Sequence, residues 1–287
     1  MFSVPVTFIA NFRGKTSEER CKIMEEYAAA GVEHLVLTNT IIAMMLEDAG
    51  LVTVLPDEMR KFGLDFVDAH SPFQVMYDPI YPYPERRREM ILRHKLHLNL
   101  CREVGVNTYT VHVGNDFPYP EVTPETNFKN ICDALEQILP EAEDCGVTVC
   151  IENIWVRSNV SPVLLAIKKK FPTPYLGLCY DSGHANLMEK GWQYEENDVT
   201  PLWRRVGEEP VWQKDVLAEM LPDIVNCHLH DNFGQHDQHL CPGEGNIDWN
   251  YVIKMLKSAP RLKCIQCETG RPSIDVLVKK FKELGEI

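Results

Sequence analysis

No stretch of this 287-residue sequence approaches the ~20 consecutive apolar residues that a membrane-crossing helix needs, so a helical membrane protein is not expected. Basic residues are scarce, 29 Lys and Arg against 42 Asp and Glu, and the formal charge of −13 weighs against a nucleic-acid surface. No glycine-rich phosphate loop follows an early strand, which argues against an open dinucleotide-binding sheet. The first residues, Met1-Phe2-Ser3-Val4-Pro5, have neither the charged start nor the apolar core of a secretion signal. The ten cysteines, mostly inside apolar segments, are therefore expected to be reduced thiols of a cytoplasmic protein. Cys264 and Cys267 match a CxxC, but on a strand they point to opposite faces and do not make a shared site.

What the sequence does have is alternation. Short apolar runs at Val4–Ala10, Glu33–Thr38, Leu64–Ala69, Thr108–Val113, Val147–Ile151, Tyr175–Tyr180, Ile224–Leu229 and Leu262–Cys267 read as strands. Amphipathic helices follow them: Ser17–Ala30 with Ser17 as N-cap and Gly31 as stop, an irregular stretch Thr40–Phe62 broken near Gly50 and Pro56, then Glu85–Val104, Pro124–Cys145, Pro162–Phe171, Val211–Leu221, Trp249–Lys257 and Ser273–Leu284. The polar stretch Asn186–Pro210 reads as an insertion. Eight strand–helix pairs without a composition break predict an α/β fold, one (β/α)8 barrel domain over residues 1–287.

In such barrels chemistry sits where the strands end. The third strand ends in His70, the fourth in His112 and the fifth in Glu152. The sixth ends in Asp181 with His184 behind it, the seventh in His228 with Asp237 and His239 in its loop, and the eighth in Glu268. Four of the ten histidines (His228, His230, His236, His239) fall between Asn226 and Trp249. Several carboxylates buried together need a cation, and a mix of imidazole nitrogen and carboxylate oxygen suits Zn²⁺ or Mn²⁺, with Co²⁺, Fe²⁺ and Mg²⁺ compatible.

The segments Ile151-Glu152-Asn153, Tyr180-Asp181-Ser182-Gly183-His184, His228-Leu229-His230-Asp231, Pro242-Gly243-Glu244-Gly245 and Cys267-Glu268-Thr269 resemble the xylose isomerase-like barrel superfamily over nearly the whole chain. That group contains sugar and sugar-phosphate isomerases and epimerases, and the apurinic-site endonucleases. The resemblance implies one divalent metal on Glu152, Asp181, His228 and Glu268. It also implies a reaction through a metal-stabilised enediolate, with Glu152 and Glu268 as the acid/base pair and His184 on a substrate oxygen. His70, His112 and Trp155 are further substrate-site expectations.

Where tagatose-type epimerases have Arg, this chain has His239, preceded by Asp237. An Asp-x-His pair resembles the endonuclease branch, whose nine ligands for three zinc ions correspond here to His70, His112, Glu152, Asp181, His184, His228, Asp237, His239 and Glu268. The flanks pull back from that branch, because strand seven reads His-Leu-His-Asp and the rim loops carry Glu195, Glu196, Asp198, Glu208 and Glu209. The expected function is therefore a metal-dependent sugar isomerase or epimerase. A related lyase or dehydratase and a trinuclear zinc phosphodiesterase stand as alternatives. The expected partner is a small carbohydrate, with no nucleic acid or membrane, and a homo-oligomer is compatible.

Other conspicuous residues have plainer readings. Arg86-Arg87-Arg88 reads as a solvated helix face, and His34, His94 and His97 as structural. Arg157 reads equally as a pocket residue and as packing, and Trp192 and Trp203 as a lid or a subunit contact.

Overall fold

A computed structural model describes residues 2–73 and 77–287. Eight parallel strands close into a barrel in sequence order, the last pairing with the first. They are β1 (Val6–Phe8), β2 (His34–Leu37), β3 (Asp65–His70), β4 (Thr108–Val111), β5 (Thr148–Glu152), β6 (Leu176–Asp181), β7 (Ile224–Leu229) and β8 (Cys264–Cys267). The expected α/β barrel is what forms, and β7 has the bounds read from sequence.

Helix starts and stops follow local chemistry. In α1 (Ser17–Ala30) the N-cap is Thr16 rather than Ser17, because Thr16 and Glu19 form a reciprocal capping box. Gly31 ends the helix at φ 91°, as expected. The stretch after β2 splits at Gly50 into α2 (Asn39–Glu47) and α3 (Leu51–Arg60). Pro56 sits inside α3 without breaking it, since it removes only one hydrogen bond, to a carbonyl on half-buried Val52.

Two long helices, α4 (Pro84–Glu103) and α5 (Pro124–Cys145), precede α6 (Ser161–Lys170). The largest departure from expectation comes after β6. There α7 (Ser182–Lys190) begins directly at the strand end, capped by Asp181, whose Oδ1 accepts from the His184 amide at 2.6 Å. The insertion is correspondingly shorter and contains α8 (Val199–Arg205), while the helix expected over 211–221 is only α9 (Val216–Met220). The Ser-Gly-His start masked the helix because all three are poor helix formers. One buried cap outweighs that preference. The fold closes with α10 (Trp249–Leu256) and α11 (Ile274–Glu286).

Strand pleating sorts side chains with a period of two. Tyr109, Val111, Val149, Ile151, Cys227, Leu229, Ile265 and Cys267 join the apolar layer beneath the helices. The alternate residues face inward, and that interior is polar. Thr108 Oγ1 and Asn226 Nδ2 donate to Asp68 Oδ1 at 2.8 and 3.0 Å, and Cys264 Sγ donates to Asn226 Oδ1 at 3.1 Å. Cys264 and Cys267 thus point to opposite faces, as read from sequence. All ten cysteines are free thiols. No helix among the described residues is long and apolar enough to cross a membrane.

Candidate metal centre

The inward rows end at the rim in His70, His112, Glu152, Asp181, His228 and Glu268. Glu152, 1% exposed, lies at the centre: His112 Nε2 is 3.1 Å away, His184 Nδ1 3.3 Å, His228 Nδ1 3.4 Å and His70 Nε2 3.5 Å. His228 Nδ1 is also 3.1 Å from Glu268 Oε2. Yet neither His228 ring nitrogen nor Glu268 Oε2 makes a hydrogen bond, although all are buried. Donor atoms that crowd together without directed hydrogen bonds have the arrangement that ligands round a common point would have.

One donor atom from each of Glu152, Asp181, His228 and Glu268 lies within 4.8 Å of the others. The same holds for His70, Glu152 and His228, and for His184, His230, Asp237 and His239. All nine sequence-expected ligands thus fall in one connected network. His239 and His184 reach Asp237 Oδ2 at 3.1 and 3.7 Å.

Backbone carbonyls aim several of these rings. His70 Nδ1 lies 2.8 Å from Ser71 O, His184 Nδ1 2.9 Å from Asn153 O, and His239 Nδ1 2.8 Å from Glu268 O. In each ring Nε2 is left for the cluster, which is how ligand imidazoles are usually oriented. Asn153 also exchanges two hydrogen bonds with the Asp181 backbone, fixing the ends of β5 and β6 together.

His230 is the residue that sequence reasoning left out. It is fully buried, its Nε2 is 3.1 Å from both Asp181 oxygens, and its ring stacks on His239 at 3.9 Å. The signal was present: His228 and His230 are two apart at the end of a strand and share its inner face. Gly183 makes the space, since a Cβ there would lie 1.9 Å from His230 Cε1.

Burial works against charge on Glu152, Glu268, His184, His228 and His239, and the attraction of opposite charges overrides it. The Glu152 carboxyl is held well below its usual range by His228, His112 and His184, and Glu268 likewise by His228. His184 and His228 are raised well above ordinary imidazole, and His239 to about 9 by Asp237 and Glu268. His112, by contrast, is lowered by burial, with Glu152 opposing. Acids that raise the His184, His228 and His239 imidazoles in this way present the negative charge that a divalent cation would neutralise. The residues fit such an ion.

The flanking motif residues are structural. Asp231, fully buried, accepts from the amides of Asn232, Gly243 and Ile247 and from Trp249 Nε1. It pins the loop that carries Asp237 and His239, in which His239 adopts φ 47°. Arg157 is buried against Asp116 and Glu208 and belongs to packing. Trp155 sets its ring edge-on to His184 at 4.7 Å and takes Trp203 Nε1 on its carbonyl. Trp203 is therefore buried behind the site, while Trp192 is 61% exposed. His94 and His97 lie behind β4 on the Tyr109 hydroxyl, and His34 pairs with Asp65, all away from the rim.

Comparison with known proteins agrees with this architecture. A D-tagatose 3-epimerase-like protein superposes with a TM-score of 0.72 at 20% identity, covering 98% of this chain and 97% of that one. The 3-keto-D-glucoside 4-epimerase of E. coli gives 0.70 at 13% identity, covering 99% and 100%. At these identities the likeness is one of fold. An uncharacterised protein of Sinorhizobium fredii is 23% identical over 192 residues, and one of Methanocaldococcus jannaschii 30% identical over 132. Those matches take in 61% and 45% of this chain but only 55% and 39% of the relatives' own lengths. The model of the family described as xylose isomerase-like TIM barrel matches residues 21–283. The chain belongs to the xylose isomerase-like TIM barrel family.

Proposed function

We propose that this barrel acts as one catalytic domain, a divalent-metal-dependent isomerase or epimerase of a keto-sugar. The observation that carries the reading is the convergence of Glu152, Asp181, His228 and Glu268 within 4.8 Å, with no well-directed hydrogen bond on either His228 nitrogen or on Glu268 Oε2. These four would hold the ion, and their mixed oxygen and nitrogen set favours Zn²⁺ or Mn²⁺ over Co²⁺, Fe²⁺ or Mg²⁺. The ion would supply a Lewis acid for the substrate carbonyl and stabilise the negative charge that follows loss of the neighbouring proton.

The remaining work falls to the protein. Glu152 and Glu268 approach the same His228 ring, at 3.4 and 3.1 Å. One takes the proton from the carbon beside the carbonyl, and the other returns one to complete the exchange. His184, His70 and His112 donate to substrate oxygens, and Trp155 walls the site. Similar structures include a D-psicose 3-epimerase with D-tagatose, a protein of this same reaction class.

The second cluster, His184, His230, Asp237 and His239, favours one other reading, a multinuclear metal phosphodiesterase. Against it, the nearby Arg157 is already paired with Asp116 and Glu208, leaving it little to offer a phosphate backbone.

Metal analysis together with ketohexoses incubated in D₂O separates the two. Deuterium entering a ketose carbon in a metal-dependent way, and lost in Glu152→Gln by at least ~100-fold as removal of a general base predicts, supports the isomerase. Cleavage of abasic DNA with three tightly held zinc ions and no exchange would replace it.

A further inference from the structure

Six consecutive strands, β3 to β8, supply the metal cluster; β1 and β2 supply none of it. On their side of the rim lies a cavity of about 460 Å³ that reaches His70 and Glu268 at one end and the start of α2 at the other. Its polar lining includes Asn11, Thr38, Asn39, Thr40 and, beside the cluster, Gln266. Gln266 is 1% exposed, and its Oε1 has no hydrogen-bond partner. A buried amide left unpaired costs stability unless a ligand completes it. At the far end Thr38 Oγ1 caps the Ile41 amide at 3.3 Å. The amides of Asn39 and Thr40, at the first two positions of α2, have no acceptor within the helix.

We propose that this cavity holds the carbon tail of the keto-sugar as an uncharged, unphosphorylated polyol, with Gln266 reading one of its hydroxyls. The inference rests on the isomerase reading and names its substrate class. Amides and hydroxyls each donate and accept, as a sugar hydroxyl does, whereas a phosphate only accepts. Among the described residues lining the cavity, Arg13 is the one Lys or Arg, and Glu47 already pairs with it at 3.4 Å. Glu268 lines the same space, and its carboxylate would repel an anion. The volume falls within the range that small-ligand sites occupy.

The test is titration calorimetry of the Mn²⁺-loaded protein with fructose, tagatose and psicose and with the 6-phosphate of whichever binds best, followed by turnover of that sugar. The neutral ketose binds at least tenfold more tightly than its phosphate. Gln266→Leu raises Kd and KM about fivefold, the loss expected for one neutral hydrogen bond. It leaves kcat within twofold and Mn²⁺ affinity unchanged. Gln266→Met serves if the leucine variant does not fold. A phosphate bound as tightly as the sugar overturns the assignment while leaving the isomerase reading intact. So does a Gln266 variant whose Kd and KM for the sugar are unchanged, since an amide that reads no hydroxyl costs nothing in binding when it is removed. If the metal-loaded protein binds and exchanges none of the three sugars, the isomerase reading falls and this inference with it.

Discussion

Asp231→Asn is the sharpest probe of how the site is held. Both Asp231 oxygens are used: Oδ1 by the amides of Asn232 and Ile247 at 2.9 and 3.3 Å, Oδ2 by the Gly243 amide and Trp249 Nε1 at 2.8 Å each. All four partners donate. An asparagine of the same shape keeps one oxygen and turns an NH₂ toward two N–H groups, whichever way the amide is rotated. Two hydrogen bonds to an acid are lost and two donors are stranded in a buried place. At roughly 1.5–3 kcal/mol for each such bond, the loss is about 3–6 kcal/mol. Relief from burying an acid brings it toward 3.

The loop from Asp231 to Trp249 carries Asp237 and His239, whereas Glu152, Asp181, His228 and Glu268 stand on strand ends. Urea unfolding of Asp231→Asn should therefore show an unfolding free energy lowered by about 3 kcal/mol, read as a lower midpoint at constant slope. Calorimetric titration of the folded variant should show the affinity for a first Mn²⁺ changed by less than about threefold. A stability change under about 1 kcal/mol would refute the account of the loop. Loss of the first metal together with the loop would refute the division of the site into two parts.

Dialysis against EDTA should lower the melting temperature, and Zn²⁺ or Mn²⁺ should restore it saturably, by the equivalent of about 2.7 kcal/mol at a hundred times Kd; superimposable melts would remove the metal from the fold's energetics. Gly183→Ala places a methyl 1.9 Å from His230 Cε1, so overpacking of about 1–3 kcal/mol and displacement of His230 from Asp181 should follow, read by chemical denaturation and imidazole NMR. An unchanged denaturation midpoint would show that the ring does not need that space. Burial holds His94 down to about 4 and His97 to about 3. For a base depressed on folding, the stabilisation is whole above the unfolded value near 6.5 and drains away as pH falls toward the folded one. Each ring then accounts for about 2 kcal/mol of the stability lost between pH 7 and 5, and His97→Phe should lose that much less over the same interval. An equal pH slope in the variant would mean that His97 is charged in the native state.

The barrel was legible because its strands are short apolar runs between capped helices, and β7 and α5 came out with their bounds. The rim was legible for the same reason: once a strand's end is known, the period of two says which side chain faces the axis. What stayed hidden depends on contacts distant in sequence. Asp181 caps α7 only because β6 delivers it there, and no propensity of Ser182-Gly183-His184 announces that helix. Arg157 looks like a pocket cation until Asp116 and Glu208 are seen to claim it. Asp231 looks like a ligand beside His230 until its four donors are counted.

The two parts of the cluster meet at Asp181, and its hydrogen bonds rank the roles around it. Oδ1 takes the His184 amide at 2.6 Å and His230 Nε2 at 3.1 Å, while Oδ2 has only His230, also at 3.1 Å. Oδ2 is thus the oxygen with room for a cation. A His230 ring that donates from Nε2 cannot bind metal through that nitrogen. Its Nδ1 lies buried without a partner, and its face is covered by His239. In that state His230 would serve a first ion by orienting Asp181, and His184, Asp237 and His239 would be left as donors for a second. A second ion drawing on His230 would have to take Nε2 and break both contacts to Asp181. Filling the second position with all four residues therefore loosens the first. A second ion held by His184, Asp237 and His239 alone would leave the first site intact, and only one that also drew on His230 would compete with it.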